Sequence, residues 1–381
     1  MKRAAAAALL AGLLAGAAAG QSEPEPEYFA PSAGSGRWDL RWDALVRYDA
    51  IELSKQDPGA PNIFRWRTEL RPEVDWVRSD RFRAGARLLA SLSSDANRTN
   101  LARLDNYRSN TIELDRLFVE AKPGDFTLLG GKFEMPFRTT EMLWDRDLQP
   151  AGAAAFWRVP ISMNSSLSVG SGFFYGPQRH GDASRVFASQ ATLELGTAGP
   201  VSVEWSEAYW QFGHLDRTAR SFQRQNSGSS YGPGYPPGYG PGYGPGPTAY
   251  AGSFRILDSL VRVRAPWGRL PLLLSVDYIH NFGATEADYA DGLEISLRAG
   301  RVGVPGDLEV FEIYQMVDRD AVVGAYNTDD WWFHTWYVGH RVGVSVTVLP
   351  QVLVRPSVVF QRRQDREHYL NRYLIDVVKM F

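Results

Sequence analysis

From Trp38 onward the chain alternates. Trp38, Leu40, Trp42, Ala44, Val46, Tyr48 and Ala50 take the even positions. Arg37, Asp39, Arg41, Asp43, Arg47 and Asp49 take the odd ones, with Leu45 the exception. Successive side chains of a strand point to opposite faces, so this spacing predicts a strand with one apolar and one charged face. The next run keeps the rule: Phe64, Trp66, Leu70, Val74 and Trp76 oppose Arg65, Arg67, Glu69, Arg71, Glu73 and Asp75. A third sets Phe82, Ala84, Ala86, Leu88, Ala90 and Leu92 against Arg81, Arg83 and Arg87. Such runs exceed the usual strand of about five or six residues. Apolar residues do not recur at three and four, so a helix is excluded. Similar runs return near 270–278, 293–299, 336–348, 352–361 and 373–381. Parity is ambiguous at 113–135 and 308–318.

The connections alternate in length. Short turns are predicted at 79–80, 122–125, 162–165, 197–200, 266–269, 304–307 and 349–351. Longer loops are predicted at 52–62, 93–110, 136–150, 176–184, 213–252, 283–290, 319–334 and 364–368. Together they join about sixteen strands, with 14 or 18 as alternatives. An even strand number with short turns on one side and long loops on the other fits a transmembrane antiparallel up-and-down β-barrel, an all-β fold. In hydrocarbon every backbone polar group needs an internal partner, and a closed barrel supplies one without leaving an edge. A soluble β-sandwich would also alternate. Its strands are shorter, however, and its outer face is less uniformly charged.

Composition changes the picture in four ways. Hydrophobic residues make up 44% of the 381 and charged residues 22%, and outside the N-terminus no run is long and apolar enough for a helical span. There are no cysteines, which excludes disulfides, thiolate metal sites and cysteine nucleophiles. The net charge is -2, which excludes a general polybasic surface and with it nucleic acid as a partner. The aromatic count is high, with 12 Trp, 17 Tyr and 19 Phe. Trp38, Tyr48, Phe64, Trp76, Phe82, Trp157, Trp267, Phe282, Trp331 and Trp336 fall near expected strand ends, as interfacial girdles require.

Residues 1–20 read as a secretory signal peptide: Lys2 and Arg3, then an Ala/Leu-rich stretch, then small residues. Residues 21–36 are expected to form a short periplasmic segment and 37–381 the barrel. The run at 228–247, dense in Gly, Pro and Tyr, is expected to be a disordered external loop. The terminal Phe381 closes the last alternating run and resembles the assembly signal of Gram-negative outer-membrane barrels.

Several stretches carry a wider resemblance. They are RWRTELRPE from Arg65, LDRLFVE from Leu114, GGKFEMPF from Gly130, LWDRDLQP from Leu143, DRDAV from Asp318 and NTDD from Asn327. In this order they resemble the putative porin family of Gram-negative outer-membrane proteins, itself similar in style to the phosphate-selective porins. The resemblance implies an outer-membrane pore for passive uptake of small hydrophilic solutes, without a cofactor. It implies outer-membrane lipid, such solutes and the barrel-assembly machinery as partners, with homotrimer or monomer left open.

The candidate pore lining is Arg41, Arg47, Arg65, Arg67, Arg71, Arg81, Arg83 and Arg87, interleaved with Glu69, Asp75 and their acidic neighbours. Guanidinium groups pair with carboxylate or phosphate. The wall is therefore either an anion-leaning track or a mutually neutralising network. The loop at 136–150 carries Arg138, Glu141, Asp145, Arg146 and Asp147. Folded inward, it would set both charge signs across a constriction. Asn327, Asp329 and Asp330 read as solvated loop residues rather than a calcium site. No H-E-x-x-H occurs, and the G-x-S-x-G match at Gly228–Gly232 falls in the Gly/Pro/Tyr run expected to be a loop rather than on a strand-to-helix turn, which argues against an enzyme. The rivals are a binding or structural barrel plugged by its loops, and a barrel-borne lipid hydrolase using His280 and Asn281.

Overall fold

The computed structural model describes residues 36–55, 62–94, 111–175, 184–215 and 250–379. The expected signal peptide, the 228–247 run and Phe381 lie outside the described residues. Sixteen antiparallel strands close into one barrel, each paired with its neighbours in sequence, and β1 sealing against β16. The first eight are β1 (Arg37–Glu52), β2 (Ile63–Ser79), β3 (Phe82–Ser93), β4 (Thr111–Ala121), β5 (Phe126–Lys132), β6 (Ala151–Ser162), β7 (Ser165–Tyr175) and β8 (Arg185–Leu195). The rest are β9 (Ser202–Gly213), β10 (Phe254–Trp267), β11 (Leu270–Asn281), β12 (Asp291–Gly300), β13 (Leu308–Val317), β14 (Tyr337–Leu349), β15 (Val352–Arg363) and β16 (Leu370–Lys379). Short turns join them at one end and long loops at the other, as the connection lengths predict.

The alternation divides inside from outside. On β1 and β2 the apolar parity is exposed: Leu40 is 82% and Phe64 66% accessible. The charged parity is buried, with Asp49 at 0% and Arg65 at 2%. An isolated barrel exposes the face that lipid would cover and shelters the face that lines its lumen. Near the short turns, Trp38, Trp76 and Phe82 gather with ring centroids about 6 Å apart, and Phe126 stacks on Trp157 at 6.2 Å. Of these, Trp38, Trp76, Phe82 and Trp157 are expected near strand ends, and Phe126 joins them. Trp331 does not: it is buried inside the barrel and stacks on Tyr337 at 5.5 Å.

Both ambiguous stretches have physical causes. Where Arg87 and Leu88 of β3 face Arg116 and Leu114, the register shifts and Asp115 of β4 is the extra residue. Asp115 faces inward, and beyond it the inward parity passes to Phe118 and Glu120. A single extra residue reverses parity without changing composition. On β13 the inward residues Phe311, Ile313 and Val317 are apolar and buried, while the outward Glu312 meets His340 at 3.0 Å. Here the inner wall packs against protein rather than water.

That protein is two long loops. Residues 133–150 and 318–336 fold into the barrel and share one apolar cluster with the wall. Trp144 of the first stacks on Trp210 of β9 at 6.1 Å and meets Tyr326 of the second at 5.2 Å. Phe137 packs on Phe156, Phe174 and Trp210. A hydrophobic cluster thus sits inside the barrel, between the loops and β6–β9.

Candidate functional site

The lumen has two chemically different sides. On β1–β3 the guanidinium groups stand among carboxylates of the same strands. Direct cross-strand pairing sets Arg41 opposite Glu73, Asp43 opposite Arg71, and Asp49 opposite Arg65. Arg65 donates to Asp49 at 2.6 Å, and Arg372 of β16 donates to the same carboxylate at 2.8 Å. Arg41 and Arg83 converge on Asp75, the second at 2.8 Å. Arg87 meets Asp115 at 2.6 Å. Arg71 bridges Glu69 at 2.6 Å and Asp147 at 2.8 Å. Arg67 reaches Glu69 and Asp329, each at 3.5 Å. Arg47 grips Asp376 with two hydrogen bonds, at 2.6 and 2.9 Å, and also pairs with Asp330. Arg81 lies apart from this wall, exposed in the turn between β2 and β3.

Loop 133–150 crosses to the other side. The Arg138 N–H donates to Gln190 Oε1 at 2.8 Å, and its guanidinium approaches Glu204 at 3.4 Å. Thr140 Oγ1 donates to Asp277 of β11 at 2.5 Å. Glu141 accepts from Trp331 Nε1 at 2.9 Å and lies 3.6 Å from Arg341. Asp145 is buried and accepts the Asp147 N–H at 2.9 Å, so it shapes the loop. Arg146 is exposed. Burial pushes the Asp147 carboxyl up, but Arg71 and Arg67 outweigh it and hold the group below its usual range.

Loop 318–336 docks by charge. Asp330 takes Arg47 and Arg341 together. Burial pushes this carboxyl up as well, and the two guanidinium groups more than reverse it, leaving it well below the ordinary carboxylate range. Asn327 donates to the His334 carbonyl at 2.5 Å. The expected solvated loop is therefore a buried, ion-paired one. Its aspartates face arginines, and no metal-binding group of three or more His or acidic side chains occurs among the described residues.

The sequence reading did not single out the far wall. Asp258, Asp277 and Glu294 are buried on β10, β11 and β12. They accept from Trp210 Nε1 at 3.2 Å, Thr140 Oγ1 at 2.5 Å and Gln315 Nε2 at 2.7 Å, respectively. Below them, Arg298, Arg341 and Arg355 gather on β12, β14 and β15. These residues were visible as polar positions in alternating runs, but nothing in the pattern placed them together. His280 and Asn281 do not form a joint site. His280 Nδ1 meets Asp291 at 2.7 Å on the outer parity, while Asn281 donates to the Asp320 carbonyl at 2.7 Å on the inner one.

Known proteins agree with this architecture. The barrel of Pseudomonas putida OprB, in its high-pH structure, superposes with a TM-score of 0.59 at 10% identity, covering 90% of this chain and 94% of that one. Salmonella typhi OmpF, solved in complex with daunomycin, gives 0.54 at 10% identity, covering 91% and 98%. The Acinetobacter baumannii outer membrane channel DcaP gives 0.51 at 11% identity, covering 92% and 99%. At these identities the likeness is one of fold. No curated protein matches the sequence. The profile of the family described as Putative porin matches residues 54–219, from just after β1 to just beyond β9, so that stretch carries the family's sequence pattern within a closed sixteen-stranded barrel whose fold is that of the porins above.

Proposed function

We propose that this chain is an outer-membrane porin that passes small hydrophilic solutes by diffusion, with a lean toward anions. One observation carries the reading: a closed barrel turns its apolar parity outward and its charged parity inward along the same strands. That division suits a wet lumen within lipid. Loop 133–150 supplies the constriction, where Arg138, Glu141, Arg146 and Asp147 meet the solute and Asp145 holds the loop in shape. Residues 1–20 direct export, and Phe381 guides assembly.

The rival is a barrel closed by its loops, and the buried contact of Trp144 with Tyr326 and Trp210 favours it. Reconstitution in planar bilayers separates the two. The porin reading expects stepwise conductance in potassium chloride. A correctly folded barrel that stays silent overturns it in favour of the plug.

A further inference from the structure

We propose that the lumen wall of β12–β15 holds an oxyanion-binding subsite for small carboxylate or phosphate solutes, formed by Arg298, Arg341 and Arg355 around the Phe311 ring. The inference rests on the anion-leaning porin reading and gives it a place.

The geometry begins with the register. Phe311 of β13 lies directly across from Arg298 of β12 on one side and Gly343 of β14 on the other. A Cβ at position 343 would sit 2.7 Å from Phe311 Cε1 and 2.8 Å from the Pro356 carbonyl oxygen. Only glycine therefore leaves the ring its place against the wall. Around it stand Arg298 at 5.3 Å, Arg341 at 5.8 Å and Arg355 at 6.0 Å from guanidinium carbon to ring centroid. An aromatic face attracts cations at this range but carries no net charge. It orients three guanidinium groups without neutralising them.

Carboxylates neutralise only two of the three. Arg298 pairs with Glu309 at 3.1 Å, and Arg341 with Asp330. Arg355 has no ion pair among the described residues. Its cross-strand neighbour is Asp376, but both Asp376 oxygens are turned to Arg47. Arg355 makes one weak substitute contact, donating from Nε to Ser345 Oγ at 3.1 Å. Its terminal nitrogens form the donor fork that carboxylate and phosphate match. Arg355 is half-buried rather than sealed, and it lies on the short-turn side of Arg341, away from the end at which the inward loops attach. A solute coming from the short-turn side can reach it.

The test uses the full barrel folded in detergent, so its readout does not depend on conduction. ¹³C-acetate and ³¹P-phosphate are titrated separately, and saturable line broadening is measured. The wild type broadens at least one probe, and Arg355→Gln weakens that binding at least about tenfold, the loss expected for a charged hydrogen bond. Arg355→Lys recovers part of it, and Arg301→Gln, at an exposed turn, changes nothing. Broadening of acetate alone assigns a carboxylate site, and of phosphate alone a phosphate site. Absence of saturable broadening, or equal broadening in Arg355→Gln with heat-modifiable gel mobility intact, overturns the subsite. Bilayer silence with broadening retained rejects the porin reading and keeps the subsite. Conduction without broadening does the reverse.

Discussion

The two arginine-rich walls of this lumen differ in what their charges are for. On β1–β3 each inward arginine named above has a carboxylate partner, and several carboxylates serve two guanidinium groups at once: Asp49 for Arg65 and Arg372, and Asp75 for Arg41 and Arg83. On β12–β15 the arginines surround an aromatic ring, and Arg355 has no acidic partner among the described residues. The first arrangement fixes structure because removing a member strands a buried charge. The second leaves charge available. The density of arginine is therefore a poor guide to function, and the pairing decides.

The largest expected effect breaks the first wall. Asp49→Ala leaves Arg65 and Arg372 without their shared partner and is expected to destabilise the barrel by about 3–5 kcal/mol. Urea unfolding in detergent micelles measures it. A loss no greater than that of a surface substitution would remove the structural role of this wall.

The next effect tests the scaffold of the second. Gly343→Ala forces the Phe311 ring away from its seat and is expected to cost about 1–3 kcal/mol as overpacking. It should also lower anion preference without removing any charge. An unchanged reversal potential would show that the ring does not organise the arginines.

Arg355→Gln should leave stability within about 1 kcal/mol, since one hydrogen bond to Ser345 is lost. Its effect falls on selectivity. A unit charge about 4 Å from a passing ion in water is worth about 1 kcal/mol, or roughly a fivefold fall in the anion-to-cation permeability ratio. Combined Arg→Gln changes at 65, 67 and 71 should also shift selectivity toward cations, by exposing Glu69, Asp49 and Asp147, but with a stability loss that Arg355→Gln lacks. Salt-gradient reversal potentials and unfolding curves on the same variants separate the walls.

The smallest effect concerns pH. Asp330 and Asp147 anchor the two inward loops, and their arginine partners hold both carboxyls below the usual value. A depressed carboxylate contributes stability above its unfolded pKa of about 3.9 and loses it as pH falls through the lower folded value. Lowering pH from neutrality toward 5, still above that reference of about 3.9, should therefore leave both anchors in place. Asp330→Asn should loosen 318–336 at neutral pH. Hydrogen exchange across 318–336 reports both, and wild-type loosening well above that pKa would contradict the assigned anchors.

Much of the barrel was legible in the chain because its physical cause is local. Period two requires only that neighbours on a strand face opposite ways, so sixteen strands, turn lengths and the inward parity of β1–β3 could be read directly, although Arg81, read as inward, sits exposed in the turn after β2. Legibility failed where another segment changed the meaning of a position. Trp331 looked interfacial because it lies near a strand end, but its loop turns inward. Asp329 and Asp330 looked solvated because they lie in a loop, but Arg67, Arg47 and Arg341 reach them. At β4 a bulge reversed the parity, and at β13 apolar side chains face inward because other side chains inside the barrel cover them, three wall arginines in the case of Phe311.

By itself, then, the sequence determined a closed barrel with an oily outside and a charged inside, since alternation acts on each strand alone. Tertiary structure decided which charges cancel. Closure brings β16 against β1, so that Asp376 meets Arg47 instead of Arg355, and register sets Phe311 between Arg298 and Gly343. Those pairings join residues up to some three hundred positions apart, and Coulomb attraction and ring contact depend on distances of a few ångströms that no periodicity encodes.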